Sequence, residues 1–150
     1  MVSDNSYFSS LLISNSSRSS YNWDVQELRN LTAEELERVV GALYAADGFT
    51  VEAAGPQSES GIDLLCEKRG FFRSKLFVVS IVPPGGTVTT ASIESIERAR
   101  SINGAKRAVL VRPEAFEETV ASKAAAYDAL ELVDADRLTC RLSRHDVFPP

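Results

Sequence analysis

The run from Leu76 to Val82 is apolar at every position but Ser80, and Pro83-Pro84-Gly85-Gly86 follows it at once. Successive side chains of a strand point to opposite faces, so apolar residues at both parities mean that both faces are covered. A proline pair and a glycine pair then end the strand abruptly. A strand of this kind belongs inside a sheet with helices on either side. One hundred and fifty residues supply one ordinary domain, which buries roughly 68–70% of its unfolded surface.

The flanking segments read as the helices and strands that such a sheet needs. Thr32 can cap a helix, Glu35 sits three residues later, and Leu31 and Leu36 occupy the staple positions. Leu36, Val39, Val40, Leu43 and Tyr44 then follow helical spacing, with Glu34, Glu37 and Arg38 off the stripe. Gly48 stops this helix. Phe49 to Ala53 and Ile62 to Glu67 read as strands, with a loop from Gly55 to Gly61 and a basic turn at 68–73. Further on, a helix is expected from Ala91 to Ile102, a strand at Arg107 to Val111, a helix from Glu114 to Tyr127 and a strand at Leu130 to Val133. A last helix starts near Asp134. The fold class is therefore α/β, a mixed central sheet flanked by helices, with an αβββαβ core plus a closing αβα.

Outside that core the pattern fades. Nine of the first twenty residues are serine, so 1–22 reads as a flexible tail carrying an apolar hook at Tyr7, Phe8, Leu11, Leu12 and Ile13. Residues 23–30 read as a linker, 31–143 as the domain and 144–150 as a C-terminal tail.

Composition removes several functions. No run approaches the length of a membrane-spanning helix, and no basic-then-apolar leader opens the chain, so a cytoplasmic protein is expected. Two cysteines and one histidine are too few for a Cys/His zinc site. A Ser-His-Asp triad would have to use His145, beside the Pro-Pro end. The net charge is −5, against a bulk basic surface, yet the cations are clustered. Lys68, Arg69, Arg73 and Lys75 oppose the single acid Glu67 around Phe71 and Phe72. Arg98, Arg100, Lys106 and Arg107 form a second cluster, and Arg137, Arg141 and Arg144 a third.

The succession "LTAEELERVV" (31–40), "DGFTVEAA" (47–54), "GIDLL" (61–65), "LFVVSIV" (76–82), "RAVLVRPEAF" (107–116) and "LELVDADRL" (130–138) resembles the Mrr-type restriction-endonuclease domain, within the PD-(D/E)XK nuclease fold. The resemblance spans residues 31–142. It implies Mg²⁺-dependent attack on a DNA phosphodiester, with carboxylates from neighbouring elements holding the ion and an ammonium beside the attacking water. Mapped onto this chain, Asp63 matches the metal-binding aspartate of the Gly-Ile-Asp strand, and Glu37 matches the glutamate of the first helix. The Glu/Gln-x-Lys positions fall on Ser80 and Val82. Serine is a poor magnesium ligand and valine has no chemistry, so half of the implied set is lost.

Side chains alternate along a strand, so a replacement lysine must lie an even number of residues from Val82. Lys75 lies seven residues from Val82, on the opposite face and roughly 23 Å away at about 3.3 Å per residue. Lys68, five residues past Asp63, also has the wrong parity. Glu94 or Glu97 could supply a migrated carboxylate, but only Arg98 stands in for the lysine, and arginine stays protonated. Plainer readings stay open: Asp63 as a strand-end acid bonded to a turn, Glu37 as a solvated helix residue, the basic turn as a solvated hairpin tip, and Cys66 as a buried apolar residue.

Three functions follow. A catalytically degenerate module would bind double-stranded DNA through Lys68, Arg69, Arg73 and Lys75. An active endonuclease would need Mg²⁺ and a site rebuilt from Asp63, Glu37 and Glu94 or Glu97. An interaction subunit would dock a protein partner through residues 7–13.

Overall fold

The computed structural model describes residues 5–12, 21–54 and 61–150. Its elements, in order, are α1 (Asn5–Ser9), α2 (Val25–Arg29), α3 (Ala33–Ala46), β1 (Thr50–Ala53), β2 (Leu64–Arg69), β3 (Ser74–Ile81), α4 (Thr90–Ile102), β4 (Arg107–Val111), α5 (Glu118–Ala124), β5 (Leu130–Val133) and α6 (Ala135–Arg144). The five strands form one mixed sheet in sequence order. β1, β2 and β3 pair antiparallel, while β3, β4 and β5 run parallel, and β3 is the middle strand.

Both faces of β3 are covered, as its apolar run requires. Phe77, Val79 and Ile81 pack with one cluster; Leu76 and Val78, with Val82 just past the strand end, pack with the other. The first cluster holds Leu36, Val39, Val40 and Leu43 of α3 with Leu138 and Leu142 of α6. The second holds Ile93, Ile96 and Ala99 of α4 with Val120 and Ala124 of α5. Burying each Leu, Ile or Val side chain contributes about 1.5–3 kcal/mol, so these two layers dominate the stability of the fold. The α3 start is a full capping box: Glu35 N–H donates to Thr32 Oγ1 at 3.0 Å and Thr32 N–H to Glu35 Oε1 at 2.9 Å. Gly48, at φ 93°, ends the helix in a backbone region that other residues avoid.

The edges of the chain differ from their reading as tail and linker. Residues 23–30 hold α2, which Asp24 and Glu27 cap reciprocally. Trp23 is buried and its Nε1–H donates to the Val147 carbonyl at 2.6 Å. Val147 is itself fully buried, Leu12 bridges to it, and Phe148 N–H donates to Leu11 O at 2.9 Å, so residues 144–150 are not a free tail. Within 1–22, the described residues 5–12 pack on the chain itself: Phe8 and Leu11 are buried in the α3 cluster. Short apolar pieces among serines show no period, so only tertiary packing reveals them. Ile13 and the loop at 55–60 lie outside the described residues. The helix expected from Glu114 starts late, at Glu118, because Arg112 and Glu114 are occupied elsewhere. The Arg112 guanidinium donates to Ala115 O at 2.6 Å and Gly86 O at 3.0 Å, and Glu114 accepts from Gly85 N–H at 2.8 Å.

Candidate functional site

Asp63 stands just ahead of β2, where the chain enters the sheet beside β3. Its N–H donates to Val79 O at 2.8 Å, and its Oδ2 accepts the Ile81 N–H at 2.6 Å. Glu37 lies one turn along α3, next to the buried Leu36. The two carboxylates meet at a hollow of about 350 Å³ lined by Ala33, Glu34, Glu37, Asp63, Ile81 and Pro83. Burial pushes the Glu37 carboxyl above its ordinary value, and the nearby charges of Asp63 and Glu34 push it further. Burial likewise raises Asp63, while the hydrogen bond from Ile81 pulls the other way. No lysine or arginine is among the lining residues.

Two of the four mapped positions thus come together and two do not. Ser80 and Val82 line an adjoining hollow of about 310 Å³ with Gly61, Gly86, Ser92 and Ser95, against α4, and Ile81 and Pro83 line both hollows. Alternation at the end of β3 fits this: Ile81, between them, lines both hollows, whereas Ser80 and Val82 do not line the Asp63 hollow. Glu94 pairs with Lys123 at 3.1 Å and Glu97 with Arg100 at 2.5 Å; neither lines the Asp63 hollow. Glu97 is held below its ordinary value chiefly by its hydrogen bond from Arg100. Glu34, Ile81 and Pro83 were not anticipated at the site. Glu34 carried a signal, since it stands three residues before Glu37 and so on the same helix face.

Carboxylate oxygens suit Mg²⁺, yet the donor set is short. Among the described residues no group of three His, Cys, Asp or Glu side chains could hold a metal ion. One oxygen of Asp63 is also committed to the β3 backbone. The described residues do not compose a metal centre, and no step through one follows.

The basic stretch is at the other end of β3. The β2–β3 ladder continues through Lys68–Lys75 and Arg69–Ser74, two rungs beyond the last β1 partner of β2, Glu67, and beyond Phe77, the first β4 partner of β3. Arg69, Arg73 and Lys75 are exposed there. Lys68 is anchored, with its Nζ donating to Asp47 O at 2.7 Å and lying 5.3 Å from the Phe49 ring centre. The other two basic clusters are largely occupied within the fold: Arg100 by Glu97, Arg141 by Glu131 at 2.6 Å, and Arg107 over the Phe77 ring. Cys66 is fully buried, and burial pushes its thiol up to about 12. Among the described residues no helix is long and apolar enough to cross a membrane.

Residues 28–142 match the model of a restriction-endonuclease family, the Mrr catalytic-domain type. The chain belongs to this family. The match begins within α2 and runs to the last turn of α6, so it takes in the whole sheet. No curated protein matches the chain. Among solved structures, the MspJI restriction endonuclease in complex with a 27-mer oligonucleotide aligns with a TM-score of 0.46 and 17% identity, over 80% of this chain. This chain spans 27% of that longer protein.

Proposed function

We propose that this restriction-endonuclease-family domain binds double-stranded DNA without cleaving it. The observation that carries this reading is the make-up of the Asp63 hollow. It gathers carboxylates with no ammonium among its lining residues, and Ser80 and Val82 line the adjoining hollow rather than this one. A water positioned at Asp63 would find no lysine to orient or deprotonate it. Clustered, partly buried carboxylates also repel a phosphate until a cation intervenes.

DNA contact is assigned to Arg69, Arg73 and Lys75 of the projecting hairpin, with anchored Lys68 at its base. A thin duplex can reach these side chains while the net acidic body stays clear of it. Contacts of this kind go to phosphates and carry little sequence preference. Binding needs no Mg²⁺. The test is fluorescence anisotropy on a duplex of about 30 base pairs across a salt series. Three phosphate contacts predict a log–log slope of about −3. The variant with Arg69, Arg73 and Lys75 changed to Ala should lose most of that slope. Absence of binding at low salt overturns the reading.

A further inference from the structure

The tip of the same hairpin carries two side chains that phosphate contact does not use. Phe71 and Phe72 are 94% and 91% exposed, with ring centres 4.7 Å apart in an edge-to-face pair. They sit on the turn of a two-stranded ribbon whose last two rungs have no neighbouring strand on either side. Lys68 has a partner in Asp47 and Arg69 in Glu67, but among the described residues the exposed phenylalanines pack only on each other. Two fully exposed phenylalanines give up their hydrophobic contribution. Lys68 and Lys75 face each other directly across the ladder, and like charges in that register destabilise a sheet. Glycine at 70 lets the turn close, since a Cβ there would lie 2.7 Å from the Arg73 carbonyl oxygen. The result is a narrow projection with an aromatic point and cationic flanks.

We infer that Phe71 and Phe72 form a wedge that stacks on unpaired or unstacked DNA bases, while Arg69, Arg73 and Lys75 hold the adjoining phosphates. Flat aromatic faces stack on any base, and cations within reach of the same segment neutralise the backbone beside it. Charge complementarity selects the occupant. An apolar groove on a protein would take the phenylalanines but gains nothing from the three exposed cations around them, of which Arg69 lies 3.9 Å from Glu67. A broad anionic membrane surface would also face the acidic body, which carries the rest of a net −5 chain. A single nucleic-acid strand meets only the ribbon. The ligand class is therefore DNA with a bubble, bulge or single-stranded gap. This inference rests on the DNA-binding reading above and names the form of DNA that the hairpin prefers.

The experiment compares the full chain on two DNAs of one sequence, a perfect duplex and the same duplex with a short internal bubble. Anisotropy is read on each for wild type and for Phe71→Ala/Phe72→Ala. Wild type should prefer the bubble by roughly 10- to 100-fold, the range expected for one or two stacked bases. The double variant should lose that preference while keeping its duplex affinity and salt slope. Both residues are exposed, so an unchanged Tm verifies that the variant is folded. Equal wild-type affinity for the two DNAs, or a preference that survives the double substitution, overturns the wedge and leaves the DNA-binding reading standing. Binding to neither DNA removes both. Two further results also overturn it, each in the absence of any DNA preference. One is phenylalanine-dependent binding to phosphatidylserine vesicles; the other is a phenylalanine-dependent dimer in light scattering.

Discussion

Asp63 Oδ2 accepts the backbone N–H of Ile81 at 2.6 Å, which ties the family's metal-binding position to the end of the central strand. In this chain the carboxylate thereby closes the sheet where β3 has run out of β2 partners, because the ladder to β2 stops at Leu64–Val79. That hydrogen bond separates two substitutions. Asp63→Ala leaves the Ile81 N–H unpaired and should cost about 1–2 kcal/mol in chemical denaturation, at the low end for a charged acceptor because the site is half-exposed. Asp63→Asn keeps an acceptor and sheds a charge that burial disfavours, so near neutral pH it should be at least as stable as wild type. Equal losses in the two variants would show that the charge, rather than the acceptor, is what matters.

The paired carboxylates also set a pH dependence. Unfolded Glu and Asp titrate near pH 4, and folding raises both Glu37 and Asp63, mainly by burial. The folded state then holds more protons than the unfolded state between the unfolded and the raised values. Stability therefore falls as pH rises through that window, and the penalty is fully present above it. Glu37→Gln removes part of the penalty. Thermal melts should show a small rise in Tm near neutral pH, on the order of 1–3 °C, and a flatter profile on the acidic side. A lower Tm at neutral pH in this variant would contradict the account.

The docked N-terminal segment depends on one glycine. A Cβ at Gly41 would lie 2.0 Å from Phe8 Cδ1, so the Phe8 ring occupies the notch that glycine leaves on α3. Gly41→Ala should destabilise by about 1–3 kcal/mol through overpacking, despite alanine's better helix propensity. In a Phe8→Ala background the same change should cost little or even stabilise. Additive effects of the two substitutions would mean that the segment does not sit there. Of the segment at 7–13 expected to dock on a protein partner, Phe8 and Leu11 are buried in their own chain, while Tyr7 is exposed.

Rebuilding the motif at its sequence positions should fail. Ser80→Glu with Val82→Lys would place both new groups at the α4 hollow, which adjoins the Asp63 hollow through Ile81 and Pro83 but is lined by neither Asp63 nor Glu37. Plasmid incubated with that variant and Mg²⁺ should stay supercoiled. Nicking would show that the strand presents 80 and 82 to the Asp63 side.

Much of this was legible in the residues. The apolar run of β3, the Thr32–Glu35 cap and the regular spacing of the later elements gave the sheet and its order, because local chemistry and burial agree there. The capped helix at 25–29 and the docked segments at 5–12 and 144–150 were not, because their stability comes from Trp23, Phe8 and Val147 meeting across the chain. At the site, Asp63 and Glu37 were found from the family pattern and do share a hollow. The placement of Ser80 and Val82 was not readable, since it turns on which face the strand end presents.

The central claim is DNA binding without hydrolysis, and supercoiled plasmid tests both halves at once. Wild type and Asp63→Ala would be incubated with Mg²⁺ and with Mn²⁺, at low and high salt, and run on one gel. The account predicts plasmid that stays intact in every lane, retarded at low salt and released at high salt. Nicked or linear plasmid with wild type that disappears with Asp63→Ala would contradict it and make the domain a working nuclease.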